Sequence, residues 1–135
     1  MNIVRCSRMI CKSISSGAAG PAIEGHVDHF VAWSRYPLDL GHNFVLAHDS
    51  CNAAKADHIA ACEHAWVERN VRYASDLVSQ FDTNDISYDL PSTVHITEWA
   101  YGQVQVAGGL TWLKGNEQLI SLSTKWKTDL KRIGV

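Results

Sequence analysis

The chain has 135 residues, a formal net charge of -2, 46% hydrophobic residues and 19% charged residues. This balance predicts one globular domain with a single core, and it excludes a disordered chain or a protein that coats nucleic acid through a strongly basic surface. Five Lys/Arg and four Asp/Glu fall in the first 55 residues, against seven and ten in the remainder, so no half forms a basic block.

The N-terminal stretch MNIVRCSRMICKSISSG carries basic residues but no long apolar core, so no secretory signal is read there and no apolar run approaches a membrane span. A reducing cytoplasm is therefore the expected location. The four cysteines are then expected as thiols or metal ligands rather than disulfides. SISSGAAGP, rich in Ser and Gly, reads as a loop.

HVDHFVAW, from His26 to Trp33, alternates in a β-prone setting and predicts a strand. SRYPLDLGH breaks it, since Pro37 has no N–H to donate to a ladder and Gly41 marks a turn. NFVLAH, from Asn43 to His48, predicts a second short strand. From there to Phe81 a helix is expected, capped by Asp49 or Ser50. Its apolar stripe would be Ile59, Cys62, Trp66, Tyr73, Leu77 and Phe81. After a connector, Ser92 is the expected cap of a helix over TVHITEWAYGQVQVA, closed by Gly108-Gly109. LTWLKGNEQLISL predicts a hairpin turning at Gly115-Asn116, and Ser123 is the expected cap of a last helix over TKWKTDLKRI.

One segment concentrates ligand-type side chains. Asp28-His29 stands in the first strand, Asn43 at the head of the second, and Asn52 and Lys55 near the start of the following helix. Asp28 is a hard oxygen donor, and the Asn52 amide offers a second oxygen. Two protein oxygens suit Mg2+, which keeps several waters and takes substrate phosphate oxygens. Histidine is the side chain whose reference pKa lies near neutrality, the residue type suited to taking a proton from an attacking water, and His29 is the candidate here. One of its ring nitrogens must be held by an acceptor for that task. Asn43 is placed to hold the long loop through its amide. Lys55, three residues after Asn52, shares its helix face and would meet a phosphate or the charge of the transition state, although a solvated lysine is the commoner reading. In the loop, Arg35 could reach a phosphate or brace the loop, and Trp33 is the tryptophan worth testing as a base-stacking platform.

These residues resemble an HNH endonuclease, the ββα-metal nuclease family. VDHF matches the first motif, HNFVLA the middle Asn, and CNAAKAD the third element, which makes an H-N-N variant. The likeness covers about Cys6 to Asp57. It implies an α+β fold with a ββα-metal core over 1–60 and a mostly helical extension with a small hairpin over 61–135, packed as one unit. It implies DNA as substrate and one Mg2+ or Mn2+ held by Asp28 and Asn52. The catalytic set would be His29 as general base, Asn43 in a structural role, and Lys55. Ala56 stands where the colicin-like branch has a metal-binding His, a departure that favours the oxygen-liganded site. Many relatives also carry two Cys pairs that bind structural zinc. Here His48 and Cys51 stand where the second pair falls, and Cys6 and Cys11 would make the first, with a wider spacing than usual. An upstream domain or protein partner is compatible with this likeness. The alternative is a zinc-stapled binding module on the same scaffold, contacting nucleic acid or protein without catalysis.

Overall fold

The computed structural model describes residues 26–47, 58–60, 63–114 and 118–135. Among them the chain is a mixed α+β protein with two small antiparallel sheets and four α-helices. Strand β1 (His26–His29) pairs with β2 (Phe44–Ala47), with Asp28 opposite Val45 and His29 opposite Phe44. Helices α1 (Glu63–Arg72), α2 (Ala74–Thr83) and α3 (Leu90–Val106) follow. Strands β3 (Leu110–Lys114) and β4 (Gln118–Ser121) form the second ribbon, and α4 (Lys125–Lys131) closes the described chain. Among the described residues no helix is long and apolar enough to cross a membrane.

The core joins both parts of the chain. Phe30 lies flat on Trp66 of α1, with ring centroids 4.7 Å apart and planes 1° from parallel. Tyr101 of α3 continues the stack at 6.1 Å from Phe30, and Trp126 of α4 follows at 5.9 Å from Tyr101. Large aromatic rings bury the most apolar area per residue, and offset or stacked pairs add to that burial. The polar ends of these rings are satisfied. The Tyr101 hydroxyl donates to the Ala60 carbonyl at 2.6 Å, and Trp126 Nε1 donates to Gln105 Oε1 at 3.0 Å.

Several expected boundaries move. The first strand stops at His29 rather than reaching Trp33, because the N–H and C=O of Val31 are taken by the side-chain amide of Asn43 and not by a ladder partner. The second strand begins at Phe44; Gly41–Asn43 forms a short 3-10 turn ahead of it. The single helix expected from Asp49 to Phe81 is not continuous. Residues 58 and 59 are not helical, Ala60 forms an isolated bridge, and α1 and α2 break at Tyr73, whose φ of -113° and ψ of 27° leave the helical region. Tyr73 is exposed, so it leaves the predicted stripe; Trp66, Leu77 and Phe81 are buried on the two helices, and Ile59 is buried but lies outside them. Cys62 and the caps Asp49 and Ser50 lie outside the described residues.

Asp89, not Ser92, caps α3: its carboxylate accepts from the Ser92 N–H at 3.0 Å, and Pro91 occupies the first turn, where its missing N–H costs nothing. The helix ends at Ala107, with Gly108 at φ 65°. That left-handed conformation is open to glycine without a Cβ penalty, and Gly109 N–H then returns to the Val104 carbonyl at 2.8 Å. Thr124 stands at the start of the last helix and its side chain makes no capping bond, while the expected cap, Ser123, accepts the Lys125 N–H on its Oγ at 3.4 Å.

Candidate functional site

The β1–β2 ribbon brings Asp28, His29 and Asn43 to one end. Asp28 and His29 are half-buried where β1 ends, and Asp28 Oδ1 accepts from the His29 backbone N–H at 2.7 Å. Asn43, buried, stands just before β2. Its Oδ1 accepts from the Val31 N–H at 2.8 Å and its Nδ2 donates to the Val31 carbonyl at 3.0 Å. The Asn43 carbonyl also accepts from the Phe30 N–H at 2.8 Å. One residue therefore closes the base of the loop that runs from Phe30 to Leu40. Asparagine suits this task because its planar amide offers one donor and one acceptor in the same spacing as a peptide group.

The carbonyls on either side of Asn43 are gripped by α1. Arg69 Nη1 donates to the Phe44 carbonyl at 2.8 Å, and Nη2 donates to the His42 carbonyl at 2.5 Å. Trp66 Nε1 reaches the same His42 carbonyl at 2.9 Å. The helix thus braces the backbone on both sides of the amide that closes the loop. Arg69 is buried, and a charged donor to a carbonyl is among the stronger hydrogen bonds in a dry setting. His42 is buried as well, edge-on to Phe81 at 5.0 Å. Burial, and then the Arg69 guanidinium, push its imidazole down from an ordinary 6.5 to about 4, so it is a neutral structural ring at physiological pH.

Phe44 and Asp39 both meet the ring of His29. That ring lies 5.3 Å from Phe44, tilted by 57°, and its Nε2 sits 2.7 Å from Asp39 Oδ1. Asp39 was not among the residues singled out from the sequence. It lies in the loop after Pro37, where no periodicity marks a contact ten residues back along the chain. Arg69 and Trp66 were missed as site-bracing residues too. A cation three residues after a buried Trp, in line with an apolar stripe, is the one signal that could have marked Arg69.

Around the loop, Trp33 is exposed, and Tyr36 meets Trp99 of α3 edge to face at 6.1 Å. Tyr36, Leu38 and Leu40 line a small depression with Asn43, Thr93 and Ile96. Arg35 is half-buried in the same loop. Asn52, Lys55, Cys6, Cys11, His48 and Cys51, expected as the second metal ligand, the phosphate contact and the zinc set, lie outside the described residues. Among the described residues no group of three His, Cys, Asp or Glu side chains is clustered to hold a metal ion.

No protein-family model matches the chain, and no curated protein or solved structure is found similar to it.

Proposed function

We propose that the protein is a metal-dependent endonuclease of the HNH type that hydrolyses DNA phosphodiester bonds. The observation that carries this reading is the end of the first ribbon. An Asp-His pair closes one strand, an Asn stands just before the next, and the Asn amide clamps the loop between them. That arrangement suits a reaction in which the protein supplies a base and a cation site and must hold both still. Asp28 would hold one Mg2+ or Mn2+ together with Asn52, and the ion would bind the scissile phosphate and the leaving oxygen. His29 would deprotonate the attacking water, with Asn43 keeping the loop in place and Lys55 facing the phosphate. The exposed indole of Trp33 offers a face for a base beside that site.

The test is nicking of supercoiled plasmid in Mg2+, Mn2+ and Zn2+, with the metal content of the protein measured beforehand. His29→Ala should abolish cleavage while DNA binding and the unfolding midpoint stay close to wild type. Cleavage that persists unchanged in that variant removes His29 from the reaction. Tight zinc held by Cys6, Cys11, His48 and Cys51, with no divalent-dependent nicking, identifies the non-catalytic binding module instead.

A further inference from the structure

We propose that the outward face of α4 is a docking surface for the phosphate backbone of DNA, gripped by Lys125, Lys127, Lys131 and Arg132 without regard to base sequence. The choice of DNA as partner rests on the nuclease reading; the charge distribution that motivates the surface does not. At about 100° per residue, the buried side of α4 is the arc of Trp126, Asp129 and Leu130. The opposite arc holds Lys125, Lys127, Thr128 and Lys131, and Arg132 extends it with a helical φ of -64° and ψ of -22°. All five of these residues are exposed. Four of the twelve Lys and Arg residues of the chain therefore crowd onto one short face, although the formal net charge is -2. The excess is local, so whole-chain composition does not register it.

Negative charge is kept off that face. Asp129 is the one acidic residue from position 118 to 135, and it is buried with Glu63 of α1, to which it hydrogen-bonds. Lys125 lies near enough to Glu63 for their charges to interact. Glu68 of α1 meets Arg132 at 2.7 Å, but both side chains are about half exposed, and an ion pair in water gives way at little cost to another anion. Lys127 Nζ stands 5.6 Å from the ring centroid of Trp126, so an aromatic face and not a carboxylate lies beside it. Among the described residues, Lys127 and Lys131 make no ion pair.

The residue types choose the partner. Three of the four cations are lysines, compact point charges on flexible stems, which follow a phosphate backbone without the forked geometry that reads base edges. Lys127 and Lys131 are neighbours one turn apart, separated by about 6 Å along the helix. The Thr128 hydroxyl adds a neutral donor of the kind that also meets phosphate oxygens. An anionic membrane fits less well. The apolar residues of α4, Trp126 and Leu130, are in the core, and the helix exposes none for insertion. The face is tied to the candidate site through the core: Trp126 packs on Tyr101, Tyr101 on Phe30, and Phe30 follows His29 in the chain. The cations touch no reacting atom. They hold DNA on the protein, so they act on binding and not on bond breaking.

The experiment measures binding of a short DNA duplex by fluorescence anisotropy over a series of NaCl concentrations, without added Mg2+. It compares the wild type, a triple variant carrying Lys125→Gln, Lys127→Gln and Lys131→Gln, and the matching triple arginine variant. The three positions are exposed and glutamine is a good helix former, so the urea midpoint should stay close to wild type. Wild-type affinity should fall with salt at a log–log slope of about -3.5, as expected for four neutralised phosphates. The glutamine variant should flatten that slope by about 2 to 3 and weaken binding at low salt by roughly 10-fold or more, while the arginine variant keeps both. In plasmid nicking with Mg2+, the glutamine variant should raise KM and leave kcat within about twofold of wild type. A glutamine variant that keeps the wild-type slope and affinity overturns the surface, whether or not the protein nicks DNA. So does a wild type that binds no duplex, or that binds phosphatidylserine vesicles or polyglutamate in its place. A wild type that binds duplex through these lysines but nicks no plasmid in any metal keeps the surface and overturns the nuclease reading.

Discussion

The side-chain amide of Asn43 occupies both backbone hydrogen-bonding groups of Val31, accepting from its N–H at 2.8 Å and donating to its carbonyl at 3.0 Å. Asn43 and Val31 are both buried, so neither Val31 group has solvent to fall back on. Asn43→Ala should cost about 2–4 kcal/mol, since two buried peptide groups lose their partners and each orphan costs roughly 1–3 kcal/mol. Urea unfolding measures the loss, and the Val31 amide should exchange with solvent faster than its neighbours in β1. Asn43→Asp keeps the acceptor for the Val31 N–H but turns a second oxygen toward the Val31 carbonyl, so it should fall between the alanine variant and wild type only when the carboxyl is protonated. A stability change under about 0.5 kcal/mol in Asn43→Ala, the range of an ordinary surface substitution, would show that the clamp carries little.

That clamp also explains where sequence patterning succeeded and where it did not. The alternation in HVDHFVAW correctly marked a strand, but its length depended on Val31, and Val31 is claimed by a side chain twelve residues away that periodicity does not register. The burial of Trp66, Leu77 and Phe81 was legible from helical spacing, yet the break at Tyr73 was not, because no Gly or Pro marks it, and Ile59 is buried from outside the helix. At α3 two good caps compete within four residues. Asp89 prevails because Pro91 is best placed in a first turn, and that turn begins after Asp89. In the site, the amide of Asn43 was legible as a loop holder from its place at the head of a strand. Asp39 was not legible, since its contact with His29 closes a loop and follows no helical or strand period.

Gly41 tests how the loop is seated. Its backbone presses on Phe81, and a Cβ there would meet three ring carbons at 2.8 to 2.9 Å. The backbone of Gly41 does not need a left-handed conformation, so space is the whole constraint. Gly41→Ala should destabilise by about 1–3 kcal/mol, the usual cost of forcing an extra carbon into a packed site. Phe81→Leu removes part of the ring and should recover some of that loss when combined with Gly41→Ala. The double-mutant cycle in urea checks this: additive losses would mean the two residues do not meet.

Arg69 links α1 to the second strand through the carbonyls of His42 and Phe44. Arg69→Met keeps much of the buried stem but removes the forked donors. It should cost about 2–4 kcal/mol in urea unfolding, because one buried and one part-buried carbonyl lose charged donors. A second readout is more specific. The guanidinium is one of two causes holding the His42 imidazole low, and burial is the larger. In Arg69→Met the His42 midpoint, followed by ring-proton NMR, should rise above about 4 yet stay below 6.5. A midpoint that does not move would separate the two groups electrostatically.

His42 and Glu63 act on stability with opposite signs. His42 titrates near 4 when folded instead of 6.5, so between those values the unfolded chain binds a proton that the folded chain refuses, and stability rises with pH. Glu63 behaves the other way. Burial, and then its hydrogen bond with Asp129 of α4, push its carboxyl up from 4.5 to about 7. Between those values the folded chain keeps a proton that the unfolded chain has lost, so stability falls as pH rises. Each slope approaches about 1.4 kcal/mol per pH unit at most, and solvent screening should reduce the total for each group to roughly 2 kcal/mol. From pH 4.5 to 6.5 the two slopes oppose each other, and the urea midpoint of the wild type should stay nearly flat. Single substitutions should uncover each slope. Glu63→Gln retains a neutral hydrogen-bonding side chain and removes the descending limb, so its stability should climb from pH 4 to 6.5. His42→Phe keeps a ring against Phe81 and removes the ascending limb, so its stability should decline from pH 4.5 to 7. Urea titrations of the three proteins across that range decide the matter: a Glu63→Gln profile that rises no more steeply than the wild type would mean that the carboxyl beside Asp129 is not protonated in the folded protein.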